Sequence, residues 1–312
     1  MNKYSSIEIC AGAGGQALGL EQAGFGHVAL VEIEQLACQT LRLNRPYWNV
    51  LHENVKDFSA KDYYGIDLFA GGVPCPPFSI AGKQLGASDE RDLFPEALRL
   101  VSECNPKAVM LENVRGLLDK KFNDYRSAII IELERLGYLC DWQLVNASDY
   151  GVSQLRPRAI LVALKSEYAS FFKWPEKQPS AMPVGDLLFD EMNALGWENI
   201  YQWKAKANSI APTLVGGSKK HGGADLGPTR ARKAWAQLGV DGSGLADKPP
   251  INGFAAMPKL TLQMAALVQG FPKDWQFVGK KTPAYRQVGN AFPPPVAKAI
   301  GQSLIKALNK NG

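Results

Sequence analysis

The chain has 312 residues, 46% of them hydrophobic and 21% charged, with a formal net charge of +5. That is ordinary globular composition and excludes collagen-like, coiled-coil and disordered chains. The length provides for one large domain or two unequal ones around a sizeable core, and no run approaches the roughly 20 apolar residues that span a bilayer.

The amino terminus, MNKYSSIEIC, reads as a first strand and lacks the pattern of a signal peptide, so a cytoplasmic protein is expected. Five scattered cysteines and three histidines show neither a CxxC pair nor metal-ligand spacing, which leaves room for one reactive thiol. The net charge hides an asymmetry. Residues 1–200 carry 19 basic and 26 acidic side chains, residues 201–260 nine and three, and residues 261–312 seven and one. A basic rear fits a polyanionic partner, although on charge alone a solvated lysine-rich face fits equally well.

In chain order, apolar runs at 7–10, 27–33, 66–72, 108–113, 140–146 and 159–164 predict buried strands. Helical spacing lies between them, at 34–44, 93–104 and 125–136. This rhythm predicts an α/β fold: an open, mostly parallel sheet with helices on both faces and ligands at the carboxyl ends of the strands. From about 175 to 260 the rhythm fails and Pro, Gly, Lys and Trp dominate. A smaller, loop-rich second domain is expected there, though its glycine runs also suit plain linkers. An amphipathic last helix is predicted over 294–308, with Val296, Ile300, Leu304, Ile305 and Leu308 on one face.

Gly12-Ala13-Gly14-Gly15 follows the first strand and opens a helix, where glycines permit a tight turn and a close cofactor approach. Glu32, at the end of the second strand, can accept hydrogen bonds from two ribose hydroxyls. This pair signals adenosine binding and suits a nicotinamide dehydrogenase nearly as well as an S-adenosylmethionine enzyme. The strand at 66–72 runs into Val73-Pro74-Cys75-Pro76, which holds a thiol rigidly at the cleft. The strand at 108–113 ends in Glu112-Asn113-Val114, bringing a carboxyl group to the same height.

Together these elements resemble the DNA (cytosine-5)-methyltransferases, nearly end to end. The motifs are Cys10–Gly15, Pro74-Cys75, Glu112–Val114, Gln154-x-Arg156-x-Arg158, Leu260–Pro272 and Gln287–Pro293, in family order. The resemblance implies a Rossmann-like, S-adenosylmethionine-dependent sheet formed by residues 1–180 and 278–312. It also implies a target-recognition domain at 181–277, a monomer, and double-stranded DNA as substrate. A dehydrogenase has no use for these motifs together, a tRNA methyltransferase of this fold typically adds a Cys-Phe-Thr element absent here, and a dead paralogue would have lost Cys75 or Glu112.

By the same resemblance Cys75 is the nucleophile that adds to cytosine C6 and makes C5 reactive. A free thiol is only a few per cent thiolate at pH 7, so its site must help. Glu112 would offset charge at ring N3, Arg158 would hold the O2, and Arg156 would order the loop or a phosphate. Cys10, Gly12, Gly14, Gly15, Glu32, Ile33, Asn54, Val55, Leu93 and Asn290 would form the cofactor pocket. Gln154, Thr213, Lys219, Lys220, Arg230 and Arg232 are expected at the DNA. The target base must be flipped outward, and 79–92 suits a lid over it. The chain departs from the family at Cys10 (usually Phe), Asn54 (usually Asp), and at Met264 and Leu267, where a Glu–Arg pair is usual; packing is expected to replace that pair.

Overall fold

The computed structural model describes residues 4–74, 92–178, 181–217 and 223–310. The first half alternates β1 (Tyr4–Ile9), α1 (Gly15–Ala23), β2 (Phe25–Glu32), α2 (Gln35–Asn44), β3 (Val50–His52) and β4 (Leu68–Gly72). Then come α3 (Phe94–Cys104), β5 (Ala108–Val114), α4 (Asn123–Arg135), β6 (Tyr138–Asn146) and β7 (Pro157–Lys165). The strands form one seven-stranded sheet in the order β3-β2-β1-β4-β5-β7-β6. Pairings among β1 to β5 are parallel. β7 runs antiparallel to both β5 and β6. The sheet is therefore mixed, mostly parallel with a reversed edge. The three-residue β3 escaped the sequence reading because it is too short to carry a periodic signal.

Ile7 and Ile9 of β1 alternate with Ser6 and Glu8, so the two faces of this strand differ. On the isoleucine side, Ala97, Leu100 and Val101 of α3 and Ile129 and Leu133 of α4 cover Phe69, Val109 and Leu111. The remaining helices are α5 (Ser166–Ala169), α6 (Val184–Leu187), α7 (Phe189–Met192), α8 (Ile200–Lys206), α9 (Thr229–Gln237), α10 (Leu262–Val268), α11 (Lys281–Asn290) and α12 (Pro294–Leu308). On the opposite side, Val296, Ile300 and Leu304 of α12, with Leu20 of α1, cover Leu68, Ala70 and Met110. The Tyr4 hydroxyl donates to Asn309 Oδ1 and ties the start of β1 to the end of α12.

The 181–277 segment holds more helix than expected, in short pieces divided by irregular chain. Its tryptophans explain how such pieces stay folded. Trp197, Trp203, Trp235 and Trp275 are all buried in a cluster that continues into Leu18, Leu41 and Trp48 beside the sheet. Large aromatic surfaces supply the burial that long amphipathic helices supply elsewhere. Among the described residues no helix is long and apolar enough to cross a membrane.

Candidate active site

β1 and β4 are neighbours, yet the chain leaves β1 toward β2 and leaves β4 toward β5 on the other side. Such a switch point opens a crevice beyond the carboxyl ends of the two strands. A cavity of about 1020 Å³ lies there, lined by Cys10, Gly12, Glu32, Asn54, Pro74, Glu112 and Asn290, among others. That is at the upper end of the roughly 300–1,000 Å³ usual for small-molecule sites.

The glycine turn is built from left-handed residues, with φ of 52° at Cys10, 55° at Gly12 and 86° at Gly14. A Cβ at Gly12 would meet no atom of the described residues within 4 Å, whereas one at Gly15 would fall 2.1 Å from the Phe292 carbonyl oxygen. Gly12 thus leaves open space for a ligand, and Gly15 permits the backbone before α12 to close on α1. Glu32 accepts from the Gly12 amide at 2.6 Å and the Glu34 amide at 2.7 Å, bracing the turn. Burial pushes its carboxyl pKa up, partly opposed by those amides. A carboxylate has about four acceptor positions, and the Ile33 amide also approaches Glu32, so acceptor capacity remains for a ribose hydroxyl. Ile33, 58% exposed, offers the cavity an apolar face. Val55 and Leu93 also line it. Asn54 accepts from the Lys56 amide at 3.1 Å, and Asn290 donates to the Gly217 carbonyl at 3.2 Å.

At the end of β5, Glu112 pairs with Arg158 of β7, Oε1 to Nε 2.7 Å. Neighbouring Asn113 is buried and donates to the Val73 carbonyl at 2.8 Å. It clamps the strand that delivers Pro74 to the cavity. This positioning residue was not singled out from the sequence, although the Glu-Asn-Val motif contains it. Cys75, Lys219, Lys220 and residues 79–91 of the expected lid lie outside the described residues.

Two of the expected site residues lie buried away from the cavity. Gln154, expected at the DNA, is 0% exposed. Its Nε2 donates to Gln269 Oε1 at 2.7 Å, and its Oε1 accepts from the Leu214 amide at 2.8 Å. Arg156, grouped with the catalytic residues, is 1% exposed. It donates to the carbonyls of Leu214 (2.9 Å), Gly289 (2.8 Å) and Ala291 (3.0 Å). Both residues precede the start of β7 and are drawn inward by carbonyls that need donors. They form a hub joining 154–156, 211–214 and 289–291, the loop-ordering half of the expected role. Thr213 belongs to its edge, donating to the Leu155 carbonyl. Arg230 and Arg232 stand exposed on α9, which is anchored by buried Trp235.

A family model for the C-5 cytosine-specific DNA methylase matches residues 4–306. The chain belongs to this family. It is a DNA (cytosine-5)-methyltransferase.

Among its relatives, the Type II methyltransferase M.NgoMIV of Neisseria gonorrhoeae is 59% identical, over 99% of both chains. M.NaeI of Lentzea aerocolonigenes, also a Type II methyltransferase, is 55% identical over 100% of this chain and 77% of its own. The crystal structure of a Spodoptera frugiperda DNMT2 mutant shares the fold, with a TM-score of 0.68 at 16% identity, covering 97% of this chain and 100% of that one.

Within this methyltransferase, the Met264 and Leu267 departure from the family pattern is accommodated by packing. Met264 is buried in the core with half-buried Leu267 packed beside it, and its sulfur accepts from the Thr261 amide that starts α10. Cys10 lines the cavity as a protonated thiol, since burial, Glu32 and Glu8 all push its pKa up.

Proposed function

We propose that this enzyme methylates C5 of one cytosine within a short duplex sequence, using S-adenosylmethionine and a transient bond from Cys75 to ring C6. One cavity carries the reading: Gly12 and Glu32, suited to an adenosine, share it with Pro74 and Glu112, suited to a pyrimidine. The donor fits the residues present. Open space at Gly12, the remaining acceptor capacity of Glu32 and the apolar face of Ile33 match a purine nucleoside. Gly14 and Gly15 give the turn its shape, and Asn54, Val55, Leu93 and Asn290 complete the wall.

When bound, S-adenosylmethionine supplies a methyl group on an electrophilic sulfonium. The chain does the rest. The Cys75 thiolate adds to C6, and electron density moves to C5. Glu112 offsets charge developing at N3, while Arg158 holds both Glu112 and the pyrimidine O2. After transfer a base removes the C5 proton and Cys75 departs with the bonding pair, restoring the ring. A stacked base cannot reach this site, so the cytosine is flipped outward at a cost of a few kcal/mol. Contacts from 181–277, with Lys219, Lys220, Arg230 and Arg232 at phosphates or bases, offset that cost. Residues 1–180 and 278–312 form the catalytic domain of a monomer in the cytoplasm.

The Type II relatives favour a protective role against a restriction endonuclease that acts on the same site without a stable complex. Incubation with labelled S-adenosylmethionine and either duplex DNA or tRNA tests the substrate. Label on DNA at C5 of cytosine is expected, and label on tRNA alone overturns the reading.

A further inference from the structure

We propose that the Gln16 carboxamide belongs to the ligand-binding wall and reads the amino-acid end of the methyl donor. This rests on the cavity being the S-adenosylmethionine site.

Gln16 is the second residue of α1, 3% exposed, and lines the cavity. Among the described residues neither its Oε1 nor its Nε2 has a hydrogen-bond partner. An unpaired buried polar group costs on the order of 1–3 kcal/mol, and an apolar side chain here would avoid that. The described part of the fold makes no use of the amide. Gln154 and Gln269, the other fully buried glutamines, are each bonded to the hub.

Glu8 of β1 lines the same cavity at 1% exposure, and among the described residues its Oε2 is equally without a partner. Burial and the nearby Glu32 push its carboxyl pKa well up. The wall thus holds unused donors and unused acceptors together. An α-amino acid end presents the matching set, an ammonium that donates and a carboxylate that accepts. Gln16 is the neutral side chain able to meet both, with two N–H donors and one carbonyl. The start of α1, with no side-chain cap, adds a favourable field for the carboxylate. Adenosine is already provided for by Gly12, Glu32, Ile33 and Asn54, so the unspent polarity and the unspent part of the donor coincide. Gripping that end would fix the direction of the sulfonium.

Calorimetric titration of the full-length protein tests this, with S-adenosylhomocysteine and with 5′-methylthioadenosine, which keeps the nucleoside but lacks the amino acid. Gln16→Leu and Gln16→Met should each weaken S-adenosylhomocysteine about tenfold and leave 5′-methylthioadenosine within about twofold. Their melting temperatures without ligand should not fall, because an orphaned amide is being removed. Unchanged S-adenosylhomocysteine affinity, or equal loss for both ligands, overturns the assignment. If the unaltered protein binds neither compound, the cofactor reading itself fails, and Gln16 falls with it.

Discussion

Glu112 and Arg158 meet at 2.7 Å because β7 runs antiparallel to β5. In that register Arg158 sits opposite Val114, and side chains two apart share a face, so Arg158 lies diagonally across from Glu112. Both side chains are largely buried, at 13% and 14% exposure. Arg158→Ala and Glu112→Gln should each slow single-turnover methyl transfer by roughly 10²-fold or more, as for loss of a charge-stabilising group. The double variant should lose less than the two effects combined, since the residues act as a unit. A loss confined to DNA affinity would argue against the N3 role.

The four described thiols are all poor nucleophiles at neutral pH. Burial raises the pKa of Cys10, pushes Cys38 up to about 11, and pushes Cys104 and Cys140 up to about 12. Iodoacetamide at pH 7.5 should therefore label Cys75 first. Cys75→Ser should lose that fast label, methyl transfer and the covalent complex with a 5-fluorocytosine duplex. Peptide mapping by mass spectrometry distinguishes the sites, and retained turnover would remove Cys75 from its role.

Arg156 gives the opposite expectation to Arg158. Arg156→Ala strands the carbonyls of Leu214, Gly289 and Ala291 in a dry interior. Urea denaturation should show a loss of about 3 kcal/mol or more. An unchanged midpoint with weakened DNA binding would restore it to the substrate surface.

Two glycines three positions apart should also behave differently. Gly15→Ala forces a methyl against the Phe292 carbonyl and should lower the melting temperature sharply. Gly12→Ala meets no neighbour among the described residues but must hold φ near 55°, a cost of about 1 kcal/mol for an L residue. Its main effect should be on cofactor affinity, read by titration with S-adenosylhomocysteine.

His27 supplies a pH signature. Its Nδ1 faces the Ser6 hydroxyl and its Nε2 the Ala17 carbonyl, both at 2.8 Å, and burial lowers its pKa to about 4. The folded state therefore favours the neutral ring. Above the unfolded pKa, about 6.5, no stability is lost; below it the unfolded chain gains a proton that the folded chain refuses. Stability should fall between pH 6.5 and 4 by about 2 kcal/mol more in the unaltered protein than in His27→Gln. Parallel pH profiles for the two would refute this.

Much of the site was legible because its parts are contiguous in the chain. The glycine turn, Glu32 and the Glu-Asn-Val triplet each announce themselves within a few residues of a strand end. What escaped depends on distant partners. Nothing local marks β7 as reversed, and that reversal is what brings Arg158 to Glu112. Gln154, Arg156 and Arg158 look alike in sequence, but β7 starts at Pro157, so only Arg158 is projected by the strand toward Glu112. The short helices of 181–277 are held by tryptophans from far apart, so no periodic pattern foretells them.

The hydrogen bond from Tyr4 to Asn309 has a topological consequence. A short linker between these two neighbouring positions would close the stretch from Tyr4 to Asn309 into a ring, which could then be opened at an exposed bend elsewhere. Asn290 of α11, which lines the cavity, would precede the glycine turn in such a gene, and both would still meet in space. Motif order would then record where the loop of chain was cut, while the chemistry would depend only on which pieces touch.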